Sequence, residues 1–448
     1  REDMIAISDL YSNLGYANVD IKPLIKKDDE GNSVAIDYTI DKKNPVTFRR
    51  INIQGNYRTR DKVVRREIKV EEQGLYSKKG IQRSFKNLNR LDYFEAIEVK
   101  PVKTEKEDEL DLDVTVEEKQ TGRFSFGGGY SSEEAAFFQI ELMERNLFGK
   151  GQTGKLGFKG SKDSILYEIG FFEPYILDTP ISGGFTLYRE EIEYDYYDKD
   201  ATGFNGTLGY RLYDYTRFGI KYTIEDFEIS NVESASTSMT PGSFLLSSIK
   251  PFIIYDSRDD LFIPTEGMKH SFSIEYAGEL LGSDIDYTKY LIESTVFYPL
   301  WRKLTMGLHA EGGYLDDRSS DTIDIDYTRF YLGGIKSIRG FDNTDINGTR
   351  DGDTIERGGE KYVQFNVELT FPFTEKYKMV GVLFYDRGDV YRTSESIDLG
   401  DQFSSFGVGV RWNSPLGPLR MEYGWVIDGK DVKESGDGQF EFSVGASF

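Results

Sequence analysis

The sequence predicts an all-β transmembrane barrel preceded by a small α+β region. From residue 122 onward the chain breaks into about sixteen runs in which apolar and polar residues alternate, the period of a strand with two unlike faces. Glycine (46) and aromatic residues (30 Tyr, 31 Phe, 3 Trp) are abundant and proline (12) is scarce, which suits tight turns and aromatic girdles. The links between runs are short at one end and long at the other, the arrangement of periplasmic turns and outer loops.

The first 118 residues have a different period. Residues 4–14 form an amphipathic helix with Met4, Ile7, Leu10, Tyr11 and Leu14 on one side, ended by Gly15. Residues 17–23 and 33–40 read as strands joined by a turn at 27–31. Residues 46–118 then repeat the pattern more fully as β-α-α-β-β. The strand around Phe48–Ile53 turns at Gly55-Asn56, helices follow at 61–68 and 77–90, and strands close the unit at 94–100 and 110–118. Ser77 is the expected N-cap of the second helix, with Ile81, Phe85 and Leu88 on one face. The earlier segment matches the last three elements of this unit. It is therefore expected to be a partial copy of it, in a chain that begins at Arg1 as a mature or trimmed product.

The expected barrel strands are 122–130, 137–144, 152–160, 164–173, 181–193, 203–214, 216–230 and 243–256. The remaining eight are 267–278, 286–299, 302–315, 361–372, 377–386, 402–413, 417–428 and 438–448. Each is long enough to cross a hydrocarbon layer when tilted, and an even antiparallel set closes into an outer-membrane barrel. A mean hydropathy of −0.50 does not oppose this, because lipid-facing and lumen-facing residues alternate. A soluble sandwich would alternate as well, but aromatic faces this continuous would aggregate in water.

Several function classes are excluded or disfavoured. A net charge of −22 argues against nucleic acid as a partner. The absence of cysteine removes thiol catalysis, disulfides and cysteine-bound metals. The two histidines, His270 and His309, have no recognisable serine partner in a turn, so no enzyme is expected. Residues 343–348 resemble a calcium loop but lack Asp at its first position and Glu at its twelfth, where Thr354 stands. No metal or cofactor is expected.

The loop at 316–360 is roughly 45 residues long, far beyond the usual range. Its middle holds one arginine between an apolar residue, a glycine and an aromatic, in Ile338-Arg339-Gly340-Phe341. Alternation places Glu368 on the inner wall of one following strand and Asp386 on the inner wall of the next. A loop folded into the lumen would deliver Arg339 to both. A forked guanidinium–carboxylate pair is strong, and lysine cannot reproduce its geometry.

The first strand faces Phe124, Phe126 and Tyr130 one way and carries Gly127-Gly128-Gly129. Three glycines lower its pairing strength, although a curved wall would also use them. The last strand alternates cleanly through Phe440, Phe442 and Val444 and ends on Phe448. A barrel must close the first strand on the last. A weak seam there exposes backbone groups to an incoming strand, a template for β-augmentation. The strand at 94–100 offers a second such edge, or serves as a spacer.

Five marks occur in order along nearly the whole chain. They are Ile53-x-Gly55-Asn56, Gly74-Leu75-Tyr76-Ser77, Ile338-Arg339-Gly340-Phe341, Phe384-Tyr385-Asp386-Arg387-Gly388 and Asn413-Ser414-Pro415-Leu416-Gly417-Pro418. On these the sequence resembles the BamA family of outer-membrane barrel-assembly insertases, in the POTRA-barrel superfamily. The resemblance implies a partial POTRA domain at 1–44, a complete one at 45–119, and a barrel at 120–448 with an inward-folding loop at 316–360. It assigns a loop lock of Arg339, Gly340, Phe341, Glu368, Phe384 and Asp386, with Arg339 packing near Phe384. It implies insertion of β-barrel proteins through a lateral gate between the first and last barrel strands. The gate residues are Phe124, Phe126, Gly127, Gly128, Gly129, Phe440, Phe442, Val444 and Phe448. The implied location is the outer membrane of a Gram-negative bacterium, with POTRA domains in the periplasm. The implied partners are unfolded outer-membrane β-barrel proteins with an aromatic C-terminal strand, BamD-like assembly lipoproteins contacting POTRA, and outer-membrane lipid. Family members carry more POTRA domains, so a shortened N-terminus is expected. Within the same superfamily, a two-partner-type secretion transporter or a translocation-and-assembly barrel is the alternative.

Overall fold

The structure is a computed structural model that describes residues 2–28, 33–131, 135–194, 196–233, 239–260, 262–301, 303–319, 328–349, 358–374, 379–414 and 417–444. The chain divides into two units, Arg1–Arg123 with Glu144–Thr153, and Phe124–Met143 with Gly154–Phe448.

The first unit opens with helix α1 (Glu2–Asn13) and the antiparallel pair β1 (Asp20–Asp28) and β2 (Ser33–Asp41). Strand β3 (Thr47–Gln54), helices α2 (Asp61–Arg65) and α3 (Lys78–Leu91), and strands β4 (Phe94–Lys103) and β5 (Glu109–Glu118) follow. Their sheet runs β3-β5-β4, with β3 parallel to β5 and β4 antiparallel to it. Ser77 caps α3, its side chain accepting from the Gly80 N–H at 3.0 Å. Helix α2 is shorter than the expected 61–68. After Arg65 the chain tightens into turns, with Glu67 N–H bonded to Val64 and Ile68 N–H to Arg65, and this brings Ile68 and Val70 into the core. Phe48, Val63, Val64, Leu88, Leu112 and Val114 fill that core.

Leu88 is fully buried, and alanine there would keep the helix while opening a cavity. Leu88→Ala is expected to cost about 2–5 kcal/mol. Hydrogen exchange in the whole protein should show faster exchange across β3, β4 and β5 and unchanged exchange in the barrel. Unchanged exchange in the small sheet would contradict the assignment of Leu88 to its core.

The rest of the chain forms one closed antiparallel barrel of sixteen strands, each beside its sequence neighbours. They are β6 (Gly122–Ser131), β7 (Ala135–Leu147), β8 (Gln152–Ser161), β9 (Ser164–Glu173), β10 (Ile181–Glu193), β11 (Asp198–Tyr213), β12 (Thr216–Ser230) and β13 (Gly242–Asp256). The other eight are β14 (Gly267–Ala277), β15 (Tyr287–Pro299), β16 (Thr305–Asp317), β17 (Lys361–Thr374), β18 (Met379–Tyr391), β19 (Phe403–Ser414), β20 (Gly417–Asp428) and β21 (Gly438–Val444). The wall is apolar outside and polar inside. Phe365, Val367, Leu383, Tyr385, Phe406 and Val408 are exposed, while Gln364, Asn366, Asp386 and Ser405 are buried. That inversion of a soluble protein suits a lipid surround. No described helix is long and apolar enough to cross a membrane.

Strand β18 runs five residues beyond the expected end at 386. Arg387-Gly388-Asp389 has the composition of a turn, but Gly388 pairs with Gln364 and Asp389 with Val363, so the ladder overrides the local preference. Strand β16 ends at Asp317, so the loop begins at Arg318. Its described parts fold over the inner wall, where Ile338, Phe341 and Ile346 join Leu315, Val390, Phe403 and Val426 in one buried cluster.

Candidate functional site

The loop holds a defined shape inside the barrel. Leu332 and Ile346 exchange backbone hydrogen bonds of 2.9 and 3.1 Å, and Gly334 N–H bonds the Phe341 carbonyl at 2.8 Å. The tip between them carries Ile338-Arg339-Gly340-Phe341. Phe341 is fully buried and meets Phe403 edge-on at 5.6 Å. Gly340 has a φ of +95° and lies against the backbone of Gly424 on β20. A Cβ on Gly424 would stand 2.8 Å from both the Arg339 carbonyl carbon and the Gly340 nitrogen. The two glycines let the loop backbone rest directly on the wall.

Arg339 is 2% exposed and meets three carboxylates. Its Nε and Nη2 donate to Oδ2 and Oδ1 of Asp386 at 2.7 and 2.6 Å, and its backbone N–H donates to Oδ2 at 3.1 Å. Nη1 donates to Glu368 Oε1 and Glu422 Oε2, both at 2.7 Å. The guanidinium carbon lies 3.5 Å from the centre of the Phe384 ring, a cation–π contact in a desolvated place. Arg411 donates to Glu368 at 2.6 and 2.9 Å and to Glu422 at 2.9 Å, and Arg420 donates to Glu422 at 2.7 and 2.9 Å. Asn366 donates from Nδ2 to Asp386 at 2.8 Å and to the Ser337 carbonyl at 2.7 Å. One buried arginine, Arg339, and two partly buried ones, Arg411 and Arg420, thus face Asp386, Glu368 and Glu422. A network with this many filled hydrogen bonds fixes the loop in one place.

The seam lies between β6 and β21. Among the described residues they share two pairs, Ser443↔Ser131 and Val444↔Tyr130. The glycines of β6 are not equivalent. A Cβ on Gly129 would lie 1.9 Å from the Val444 carbonyl oxygen and 2.6 Å from Phe137 Cζ, whereas one on Gly127 would meet nothing closer than Gln139 Cγ at 3.9 Å. Close approach therefore requires the glycine at 129 and leaves room at 127. Phe124 and Phe126 are 68% and 72% exposed on the outer face, and Phe440 is exposed and stacks on Phe442 with ring centres 5.8 Å apart. Phe448 lies outside the described residues.

Comparison with known proteins gives the lineage. The profile of the Omp85 superfamily domain matches residues 146–448, and that of the POTRA surface antigen variable number repeat matches 1–43 and 46–119. The chain belongs to the Omp85 superfamily. It is 31% identical to the outer membrane protein assembly factor BamA of Nitratidesulfovibrio vulgaris, across 99% of this chain and 56% of that protein. It is 27% identical to the protein of the same name from Neorickettsia risticii, across 97% of this chain and 60% of the relative. The chain thus spans little more than half the length of these curated relatives. In three dimensions it is similar to the crystal structure of BamA from Haemophilus ducreyi lacking POTRA domains 1–3. The TM-score is 0.73 at 22% identity, over 99% of this chain and 93% of that one, a likeness of fold.

Within this Omp85 barrel, the expected lock residues Arg339, Gly340, Phe341, Glu368, Phe384 and Asp386 lie together around the loop tip. Four further residues are part of the same arrangement. Glu422 shares Arg339 Nη1, Arg411 and Arg420 bind the shared acids, and Glu441 on β21 accepts from the Gly340 N–H at 2.8 Å. Alternation in β19, β20 and β21 puts all four on the inner face, a signal present in the sequence. Among the described residues no group of His, Cys, Asp or Glu is arranged to hold a metal ion.

Proposed function

We propose that this chain is the membrane-spanning end of an outer-membrane insertase, folding and inserting β-barrel proteins through a lateral gate between β6 and β21. The observation that carries the reading is the seam. Tyr130 and Ser131 of β6 meet Val444 and Ser443 of β21, and β21 pairs on its other side with β20 from Leu419↔Val444 to Trp425↔Gly438. An incoming strand completes the backbone hydrogen bonds of β6, so affinity comes from the main chain and tolerates many sequences. The exposed Phe124 and Phe126 give that strand an apolar surface continuous with the bilayer. No covalent step is involved. The relatives' name of assembly factor supports this reading. Its substrates are unfolded outer-membrane β-barrel proteins with an aromatic C-terminal strand. The POTRA unit lies in the periplasm, where β4, bonded on one side to β5, offers a further edge to unfolded chains and to assembly lipoproteins.

The chain has no cysteine, so one engineered pair tests the gate. With Tyr130→Cys and Val444→Cys in liposomes, an added unfolded porin is expected to stay at the level of empty liposomes while the disulfide is formed. Reduction is expected to restore folding. Equal folding in both states would reject the gate. Folding no better than empty liposomes in both states would favour a two-partner-type secretion transporter or a translocation-and-assembly barrel.

A further inference from the structure

Strand β21 is bound to β20 in a register that sets Glu422 directly opposite Glu441. Both side chains point inward and both are 1% exposed. Two carboxylates directly opposite in an antiparallel pair weaken it when both are ionised, and a low-dielectric interior enlarges the effect. Their surroundings are unequal. Glu422 receives Arg339, Arg411 and Arg420. Glu441 accepts one hydrogen bond, from the Gly340 N–H on the loop, and its Oε2 has no hydrogen-bond partner among the described residues. An unsatisfied buried carboxylate oxygen is a cost that a purely structural seam would avoid. The same loop holds the next inward residue of β21. Gln439 donates from Nε2 to Asp342 Oδ1 at 2.8 Å, and Lys433 spans the Gln439 Oε1 at 2.6 Å and the Gly340 carbonyl at 3.2 Å.

We infer that Glu441 is a positioning residue that reports the seat of the loop to the seam, a deepening that rests on the gate reading above. With the loop seated, the Gly340 N–H and the neighbouring Arg339 offset the Glu422–Glu441 pair. Strand β21 then stays on β20 in the register that meets β6. With the loop withdrawn, Glu422 keeps Arg411 and Arg420, while Glu441 loses its donor and still faces a carboxylate. The middle of the β20–β21 ladder weakens, and with it the hold of β21 on β6. Loop and gate are coupled through the Glu422–Glu441 pair, beside the Gln439–Asp342 bond, and no movement of the rest of the barrel is needed.

The test reads the seam itself. Spin labels on Tyr130→Cys and Val444→Cys report the ratio of open to closed seam in liposomes. Arg339→Ala is expected to raise that ratio about three- to fivefold. Adding Glu441→Gln should return it to within about twofold of the parent, because the amide carries no charge to set against Glu422. Glu441→Gln alone should match the parent, since its carbonyl oxygen still accepts from Gly340. An open fraction equal in Arg339→Ala and in the double variant would overturn the coupling, as would a parental ratio in Arg339→Ala. Where Arg339→Ala gives no heat-modifiable barrel, Arg339→Lys replaces it under the same criteria. Porin folding is assayed in parallel. A parent that folds no porin sinks the insertase reading, while the distance ratios still decide whether Glu441 couples loop to seam.

Discussion

Arg339→Ala is expected to release the loop from the lumen, lower the unfolding temperature of the barrel and reduce porin assembly together. The arginine is the point where three strands of the wall are joined, through Glu368 on β17, Asp386 on β18 and Glu422 on β20. Removing one partner of a buried ion pair costs about 3–5 kcal/mol, most of it from charges left without compensation. Asp386 suffers most. It is fully buried, and once the Arg339 fork is gone its carboxylate is left, among the described residues, with Asn366 and the backbone N–H at position 339, neither of which carries charge. Glu368 and Glu422 keep Arg411, and Glu422 also keeps Arg420, so the loss is smaller there. Arg339→Lys is expected to recover part of the stability but not the parent value, since an ammonium cannot fill both oxygens of Asp386 and lie flat over Phe384. Heat-modifiable mobility in gels and the folded fraction of an added porin measure the two effects. Parental values of both for Arg339→Ala would remove the loop lock from the mechanism.

The barrel was legible because alternation and turn residues are local signals. Sixteen runs separated by turns give sixteen strands, and the inward faces of β17 and β18 follow from counting by twos from any one residue. The partners of Arg339 were legible to the extent that they lie on adjacent strands close in sequence to the loop. Glu422, Arg411, Arg420 and Glu441 were not, although their faces were. Alternation tells which side of the wall a residue occupies, but not how deep the loop descends or how far around the barrel it reaches. Gly340 and Glu441 are separated by 101 positions and meet only through the curvature of the wall from β17 round to β21. The end of β18 was missed for the complementary reason. A turn-like composition at Arg387-Gly388-Asp389 is overridden by a ladder that no local signal reveals. In the first unit, the register of hydrophobic residues located the helices, while the tightening after Arg65 depends on which side chains the core needs to receive.

Gly424→Val is expected to unseat the loop while leaving every charge of the network in place. The added Cβ would stand 2.8 Å from the Arg339 carbonyl carbon and the Gly340 nitrogen, closer than such atoms approach. Both are backbone atoms, so no side-chain rotation relieves the clash, and the loop must lift. Valine suits a strand, and Gly424 pairs with Gly407 and Gln439 within the sheet, so the substitution does not oppose β20 itself. The result should therefore resemble Arg339→Ala in direction, with a lower unfolding temperature, less porin folded, and tryptic cleavage gained at Lys336 or Arg339. An intact loop under trypsin, with parental stability, would mean that the loop tolerates the wall moving inward and that the glycine pair is not its seat. Combining the two substitutions separates seat from charge. If Arg339 stabilises the barrel only through a seated loop, the double variant should be little worse than the poorer single one. Two independent losses would add in full.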